Sequence, residues 1–356
     1  MSKHTQEERP HYHRYLLVVI VFALAAAIAA DRVFFRSPWV ELSDRRSLMD
    51  TWVTVTVYSQ DVGKAKQAIE SAFSRMEEVV HATSNFDPNA EAYRLNEERK
   101  LVDPSPELWT VISAAQRYAR LSRGAFDITV EPLLELWKNP DADGKHLWEV
   151  DPATRDARIA AALVHVGPDK LTLTQTGSHR IISLAPGAKI TLGGIAKGYA
   201  VDQGLAALRT AGIAHAMINA GGDIGVYGGK PDGSGWEIAL RNPQRAEDML
   251  ARFVISAGAV ATSGNYERYF DPAAEVGHIM DPHTGYSAHR SSSATVIAPT
   301  CMEADALATA TFVFGPKDGI ALLDSLPEAE GLIIGYDNPR ELHRTAGLEK
   351  YMEAKD

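Results

Sequence analysis

One cysteine, Cys301, stands among 356 residues, so the chain can form no intramolecular disulfide framework and no cysteine-built zinc or iron–sulfur site. Basic residues are also in short supply: 36 Lys and Arg against 46 Asp and Glu leave a net charge of −10. Without a basic face to release counterions, nucleic acid is excluded as a general partner. There is no low-complexity linker, no internal repeat and no G-x-G-x-x-G opening, and strand and helix signals do not alternate regularly. Whatever chemistry the chain performs must use oxygen and nitrogen groups.

Long apolar runs are missing too, with one exception. Leu16 to Ala30 is an unbroken run of 15 apolar residues behind a polar tail, residues 1–14, that carries Lys3, Arg9 and Arg14. With Tyr15 before it and Val33-Phe34-Phe35 beyond Asp31-Arg32, residues 15–36 approach the length of a spanning helix, and a signal-anchor is expected in preference to a cleaved signal. The basic flank should stay in the cytoplasm and the remainder be exported. No cysteine follows the run, so a lipoprotein anchor is excluded.

From residue 40 to 356 one α+β domain is expected. The alternation in Thr51–Tyr58 predicts a half-buried strand, and the apolar spacing over Val62–Thr83 predicts a helix. Ser84 to Glu91 is turn-rich. Ser105, Pro106 and Glu107 announce a second helix that Gly124 should stop. Residues 139–165 read as a surface excursion with a short helix. Further helices are expected over about 196–211 and 302–313, with strands near 214–220, 236–241, 253–262 and 331–336.

Three motifs carry candidate chemistry. Thr191-Leu-Gly-Gly-Ile-Ala-Lys197 exposes backbone N–H groups ahead of a helix, with Lys197 as a point charge; this suits an anion, and equally a tight turn with Lys197 on the surface. Asp305 and Thr309 are four residues apart, so on a helix they share a face and offer two hard oxygen donors suited to Mg²⁺. A plain dipole-balancing carboxylate fits Asp305 as well. His278-Ile-Met-Asp-Pro-His-Thr-Gly285 supplies a possible acid or base, or simply a turn; a His278, Asp281, His283 metal triad is less expected there than a solvated loop.

In order, these pieces join Met49-Asp-Thr51, Phe86-Asp-Pro88, Gly124-Ala-Phe-Asp-Ile-Thr129 with Trp137, Gly221-Gly-Asp223 and Ser263-Gly264. The whole series resembles the ApbE family, the FAD:protein FMN transferases, over about residues 47–351. That resemblance implies a single ApbE-like (T-fold-like) domain of mixed and antiparallel sheets with packed helices. It implies a Mg²⁺-dependent enzyme of the bacterial envelope that takes FAD as substrate and transfers FMN to a threonine or serine hydroxyl, releasing AMP. By the same resemblance the metal falls to Asp305, Thr309 and the Gly194 carbonyl. FAD contacts fall to Met49, Phe86, Ala125, Phe126, Asp127, Lys197 and the backbone of Ile279, and Thr191 stands where the family often has Asp. His278 is expected as the base, with Asp281 orienting it or standing in for it; Phe86 and Phe126 are candidates to stack on FAD rings. Implied acceptors are subunits of sodium-pumping quinone reductase, Rnf-type complexes or other FMN-binding-domain proteins, at the periplasmic side of the inner membrane. The rivals are a Mg²⁺-dependent FAD pyrophosphatase and a periplasmic FAD-binding protein without turnover.

Overall fold

The computed structural model describes residues 38–242, 245–265, 269–271, 273, 276–338 and 341–352. The expected anchor at 15–36 lies outside them, and among the described residues no helix is long and apolar enough to cross a membrane.

The chain opens with a hairpin that the sequence half announced. Strand β1 (Val40–Leu48) pairs antiparallel with β2 (Thr51–Ser59) through Met49-Asp50, whose φ angles of 57° and 55° give the mirror-image turn that matches strand twist. Helix α1 (Val62–Thr83) follows, its Asp61 cap accepting from Lys64 N, and then, after the turns expected from Ser84 onward, α2 (Glu91–Glu98), for which no element was expected. After β3 (Lys100–Val102), α3 (Pro106–Leu121) starts as expected, with the Ser105 side chain accepting from Leu108 N. Two shorter helices, α4 (Glu131–Lys138) and α5 (Pro152–Leu163), pack on each other around the buried Leu133, Trp137, Leu147 and Ile159. Strands β4 (Leu171–Thr176) and β5 (His179–Leu184) join β3 in a small sheet.

Helix α6 (Ala196–Thr210) leads into β6 (His215–Ala220) and β7 (Asp223–Tyr227), then the hairpin β8 (Trp236–Asn242) and β9 (Arg245–Ile255), then β10 (Gly258–Ser263). The single strand expected near 253–262 is therefore two. A turn ending at Gly258, φ 116°, takes the chain from the hairpin into the main sheet. Short strands β11 (Tyr269–Asp271) and β12 (Val276–Gly277) precede β13 (Ser291–Ala298), α7 (Cys301–Phe314), α8 (Pro316–Asp324), β14 (Glu330–Gly335) and β15 (Leu342–Arg344).

Eight of these strands form an antiparallel sheet in the order β1-β2-β6-β7-β10-β13-β14-β15. Side-chain alternation gives it two dry faces. Val53, Val55, Val57, Ala259, Val296 and Ala298 point into one core with α1, α6 and α7. Ile224, Val226, Val260, Ile297, Leu332 and Ile334 point the other way, against Trp236, Ile238, Phe253 and Ile255 of the β8–β9 hairpin. Helix α7 is buried nearly all round, as its almost wholly apolar sequence requires. Its buried carboxylate, Asp305, is the exception that marks the site.

Candidate active site

Helices α6 and α7 meet at their N-termini, and the contact depends on Gly198. A Cβ there would lie 2.3 Å from the Cys301 carbonyl oxygen, closer than any side chain tolerates. The two backbones thus touch, and Gly198 N donates to Asp305 Oδ2 at 3.1 Å. Asp202, one turn into α6, fixes the same junction by accepting from Cys301 N at 2.8 Å and Met302 N at 2.9 Å. Burial pushes the Asp202 carboxyl up to about 6. Cys301 itself is fully buried, and burial raises its thiol well above the ordinary range, which leaves it inert.

Lys197 is half-buried and forms an ion pair with Asp223 at the start of β7. Burial alone would lower its pKa, but the Asp223 and Asp305 carboxylates outweigh it and hold the amine above the ordinary lysine value. Asp305 is raised, first by burial and then by the charge of Asp223. The surface alternative for Lys197 is thereby set aside.

One turn beyond Asp305, Thr309 Oγ1 lies 3.3 Å from Ser263 Oγ. A Cβ at Gly194 would sit 2.9 Å from Thr309 Oγ1 and 3.4 Å from Phe126 Cε2, so only glycine lets this backbone approach. Asp305, Thr309 and Gly194 therefore converge, with Lys197 beside them. Among the described residues no group of three or more His, Cys, Asp or Glu side chains is arranged to hold a metal ion. The converging set is of another kind: one carboxylate, one hydroxyl and a close backbone. Those hard oxygens fit Mg²⁺, which takes few protein ligands and completes its shell with phosphate and water.

Of the other sequence candidates, Phe126 borders this point through Gly194, and the rest sit on separate loops. Met49 sits in the hairpin turn with φ 57°, and Thr51, two residues on, packs against Gly221, two residues before Asp223. Ala125 and Phe126 are buried, with Phe126 N donating to Ser122 Oγ at 2.9 Å. Phe126 is 3% exposed, its ring edge-on to Tyr118. It supports Gly194 from below and shows no free face for stacking, which corrects that part of the expectation. Phe86 is 73% exposed, with Lys138 Nζ over one face of the ring at 5.6 Å from its centroid and the other face open. Asp127 is buried; Oδ1 accepts from Thr129 N and Oγ1, while the buried Oδ2 has no partner. Burial raises its pKa. An orphaned buried acceptor is suited to a ligand N–H or O–H.

Thr191 N donates to the Ile128 carbonyl at 2.7 Å, and its side chain hydrogen-bonds the Glu131 carboxyl at the start of α4. Burial, reinforced by Glu135, pushes Glu131 up to about 7. In the loop of residues 278–285, Ile279 N is committed to Asn265 Oδ1 at 3.1 Å and its carbonyl accepts from Ala288 N at 2.8 Å. The carbonyl's second lone pair is what that backbone can still offer. Asp281 is buried and its Oδ1 takes the His283 main-chain N–H at 2.9 Å and faces His283 Nδ1 at 3.2 Å. The Asp281 carboxylate thus serves His283, and His278 sits half-buried three residues earlier in the same loop.

Four participants escaped the list of expected site residues: Asp223, Ser263, Glu131 and His283. Asp223 and Ser263 lay in glycine-bearing turn motifs that had been singled out, but their partners are set by sheet pairing and could not be read locally. Glu131 carried no signal beyond its place in the first turn of a helix.

The chain is similar to known proteins along most of its length. The model of the ApbE family matches residues 49–333. The FAD:protein FMN transferase of Haemophilus influenzae is 31% identical over 286 residues, 77% of this chain and 80% of that protein. Its namesake from Vibrio cholerae is 32% identical over 305 residues, 83% of this chain and 88% of that one. Among solved structures, the ApbE protein of Thermotoga maritima superimposes with a TM-score of 0.78 at 30% identity, covering 89% of this chain and all (100%) of that one. The flavin transferase ApbE from Vibrio cholerae gives 0.73 at 27% identity, covering 88% and 100%. A family match over most of the folded region, with relatives aligned along most of their own length, places the chain in the ApbE family.

Proposed function

We propose that this chain is a Mg²⁺-dependent FAD:protein FMN transferase that attaches FMN to a threonine or serine hydroxyl of a partner flavoprotein. What supports the reading is the convergence of Asp305, Thr309, the Gly194 backbone and the paired Lys197 at one point of the helical face. Such a set neutralises a pyrophosphate.

In this reading the acceptor hydroxyl oxygen attacks the phosphorus of the FMN half of FAD. The bond between that phosphorus and the bridging oxygen breaks, and AMP leaves with the bridging oxygen. Lys197 holds the phosphates and offsets charge developing on the leaving group. Mg²⁺ held by Asp305, Thr309 and the Gly194 carbonyl would supply Lewis-acid polarisation of the phosphoryl oxygens. His278 receives the hydroxyl proton, and Asp281, engaged by His283, keeps the loop that carries His278 in shape. Asp127 Oδ2 accepts a donor from FAD, and the open face of Phe86 stacks on one of its rings. Met49, Ala125, Thr191 and Ile279 complete the FAD contacts. The apolar segment at 15–36 holds the enzyme at the inner membrane with residues 40–356 in the periplasm, beside acceptors such as sodium-pumping quinone reductase or Rnf-type subunits.

The test is to incubate the full chain in detergent with FAD, Mg²⁺ and an FMN-binding-domain acceptor. Flavin fluorescence on the acceptor band with release of AMP is the expected result. AMP with an unlabelled acceptor would make the protein a pyrophosphatase, and neither product would make it an FAD-binding protein.

A further inference from the structure

The His283 imidazole reaches in two directions. Nδ1 lies 3.2 Å from Asp281 Oδ1, and Nε2 lies 3.0 Å from the carbonyl oxygen of Arg123, at the end of α3. A carboxylate and a carbonyl are both acceptors with no proton to give. A neutral imidazole carries one N–H and can satisfy only one of them; the imidazolium satisfies both. The carboxylate is held in place for this by the His283 main-chain N–H, which donates to the same oxygen at 2.9 Å.

The two ends of this bridge belong to different halves of the FAD site. Arg123 and Gly124 lead directly into Ala125, Phe126 and Asp127, and a Cβ at Gly124 would lie 3.4 Å from His283 Nε2. On the other side, Asp281 belongs to the loop carrying His278 and Ile279. That loop has a second, charge-independent tie: Trp137 Nε1 donates to the Gly285 carbonyl at 2.8 Å. With Ile279 N also donating to Asn265 Oδ1 at 3.1 Å, the loop has several ties, of which the one through His283 depends on a proton.

We propose that His283 is a positioning residue: its imidazolium latches the His278–Gly285 loop to the Gly124–Asp127 segment and so holds the two sides of the FAD site in register. The proposal rests on the FMN-transferase reading for what the site binds. Charged groups facing the ring are Asp281 on its own loop and, from the segment after α3, Asp127, whose carboxyl senses the histidine and has Asp169 on its far side.

The experiment compares the full-length wild type with His283→Ala, His283→Gln and His283→Arg, measuring FAD binding by flavin fluorescence and transfer kinetics with FAD varied, from acidic to mildly alkaline pH. The side chain is 55% exposed, so the replacements have room, and thermal melting checks the fold. Losing both bonds at this half-exposed site should raise KM for FAD by about five- to tenfold, with kcat changing less. Gln, with one donor group, should fall between; Arg, charged throughout and rich in donors, should stay near the wild type. Wild-type KM should rise with pH, because the neutral ring drops one bond, while the Arg variant should show no such slope. Unchanged FAD affinity in His283→Ala, or an equal loss in all three variants paralleled by a lower melting temperature, would overturn the latch. If the wild type transfers no FMN at all, the functional reading fails instead, and the pH dependence of FAD binding still decides the latch.

Discussion

The two faces of the eight-stranded sheet are built on opposite principles. Against the β8–β9 hairpin, the sheet lays down Ile224, Val226, Val260, Ile297, Leu332 and Ile334, and the hairpin answers with Trp236, Ile238, Phe253 and Ile255. Against α6 and α7, the sheet also supplies aliphatic residues, but at one end it buries Asp223 and Asp305 around Lys197. Taking such charges out of water costs several kcal/mol per ion in general and is seldom recovered as stability. A fold that needed only to hold together would have continued the apolar scheme of its other face. The charged end of the helical face is therefore where we place the chemistry, and the hairpin face supplies apolar packing alone.

That contrast can be broken most severely at Asp305. Asp305→Ala should lower flavin transfer by about a thousandfold or more, since it removes a phosphate-neutralising ligand, yet leave the melting temperature unchanged or raised. Transfer within tenfold of the wild type would erase the distinction. The converse variant is Phe253→Ala on the hairpin face. The fully buried ring should cost about 3–5 kcal/mol in denaturant unfolding, with transfer per folded molecule unaltered.

A smaller, pH-dependent effect is expected at Glu131. Burial above all pushes its carboxyl from the ordinary glutamate value of 4.5 up to about 7. A carboxyl raised in this way is most favourable when protonated, so the wild type should lose stability as pH climbs from the ordinary glutamate range through about 7. Glu131→Gln should show a shallower slope across that window, the remainder coming from buried carboxyls such as Asp202; a slope equal to the wild type's would show that Glu131 does not contribute. Smallest of all is Phe86→Ala. With the ring 73% exposed, stability should not move, and FAD affinity should fall by roughly tenfold, as stacking on an aromatic face is worth about 1–3 kcal/mol per base.

Local grammar carried much of the fold. Ser105 with Pro106 marks the start of α3, the alternation in Thr51–Tyr58 marks β2, and the i, i+4 spacing of Asp305 and Thr309 sets two donors on one face of α7. What escaped was long-range. The Lys197–Asp223 pair is 26 residues apart and forms only once β7 lies under α6. The break at Gly258 is invisible because both strands it separates are rich in apolar and β-branched residues. Phe126 reads as either a stacking or a core aromatic, and its contacts with Tyr118 and Gly194 favour the core. His283 looked like a turn residue, because its second partner, the Arg123 carbonyl, is 160 residues away.

The most direct test of the central claim is intact-mass analysis of the acceptor protein after incubation with FAD and Mg²⁺, run in parallel with the wild type and Asp305→Ala. The account predicts an acceptor heavier by one FMN with the wild type and an unmodified acceptor with the variant. Equal labelling by both enzymes, or no labelling by the wild type while AMP accumulates, would contradict it.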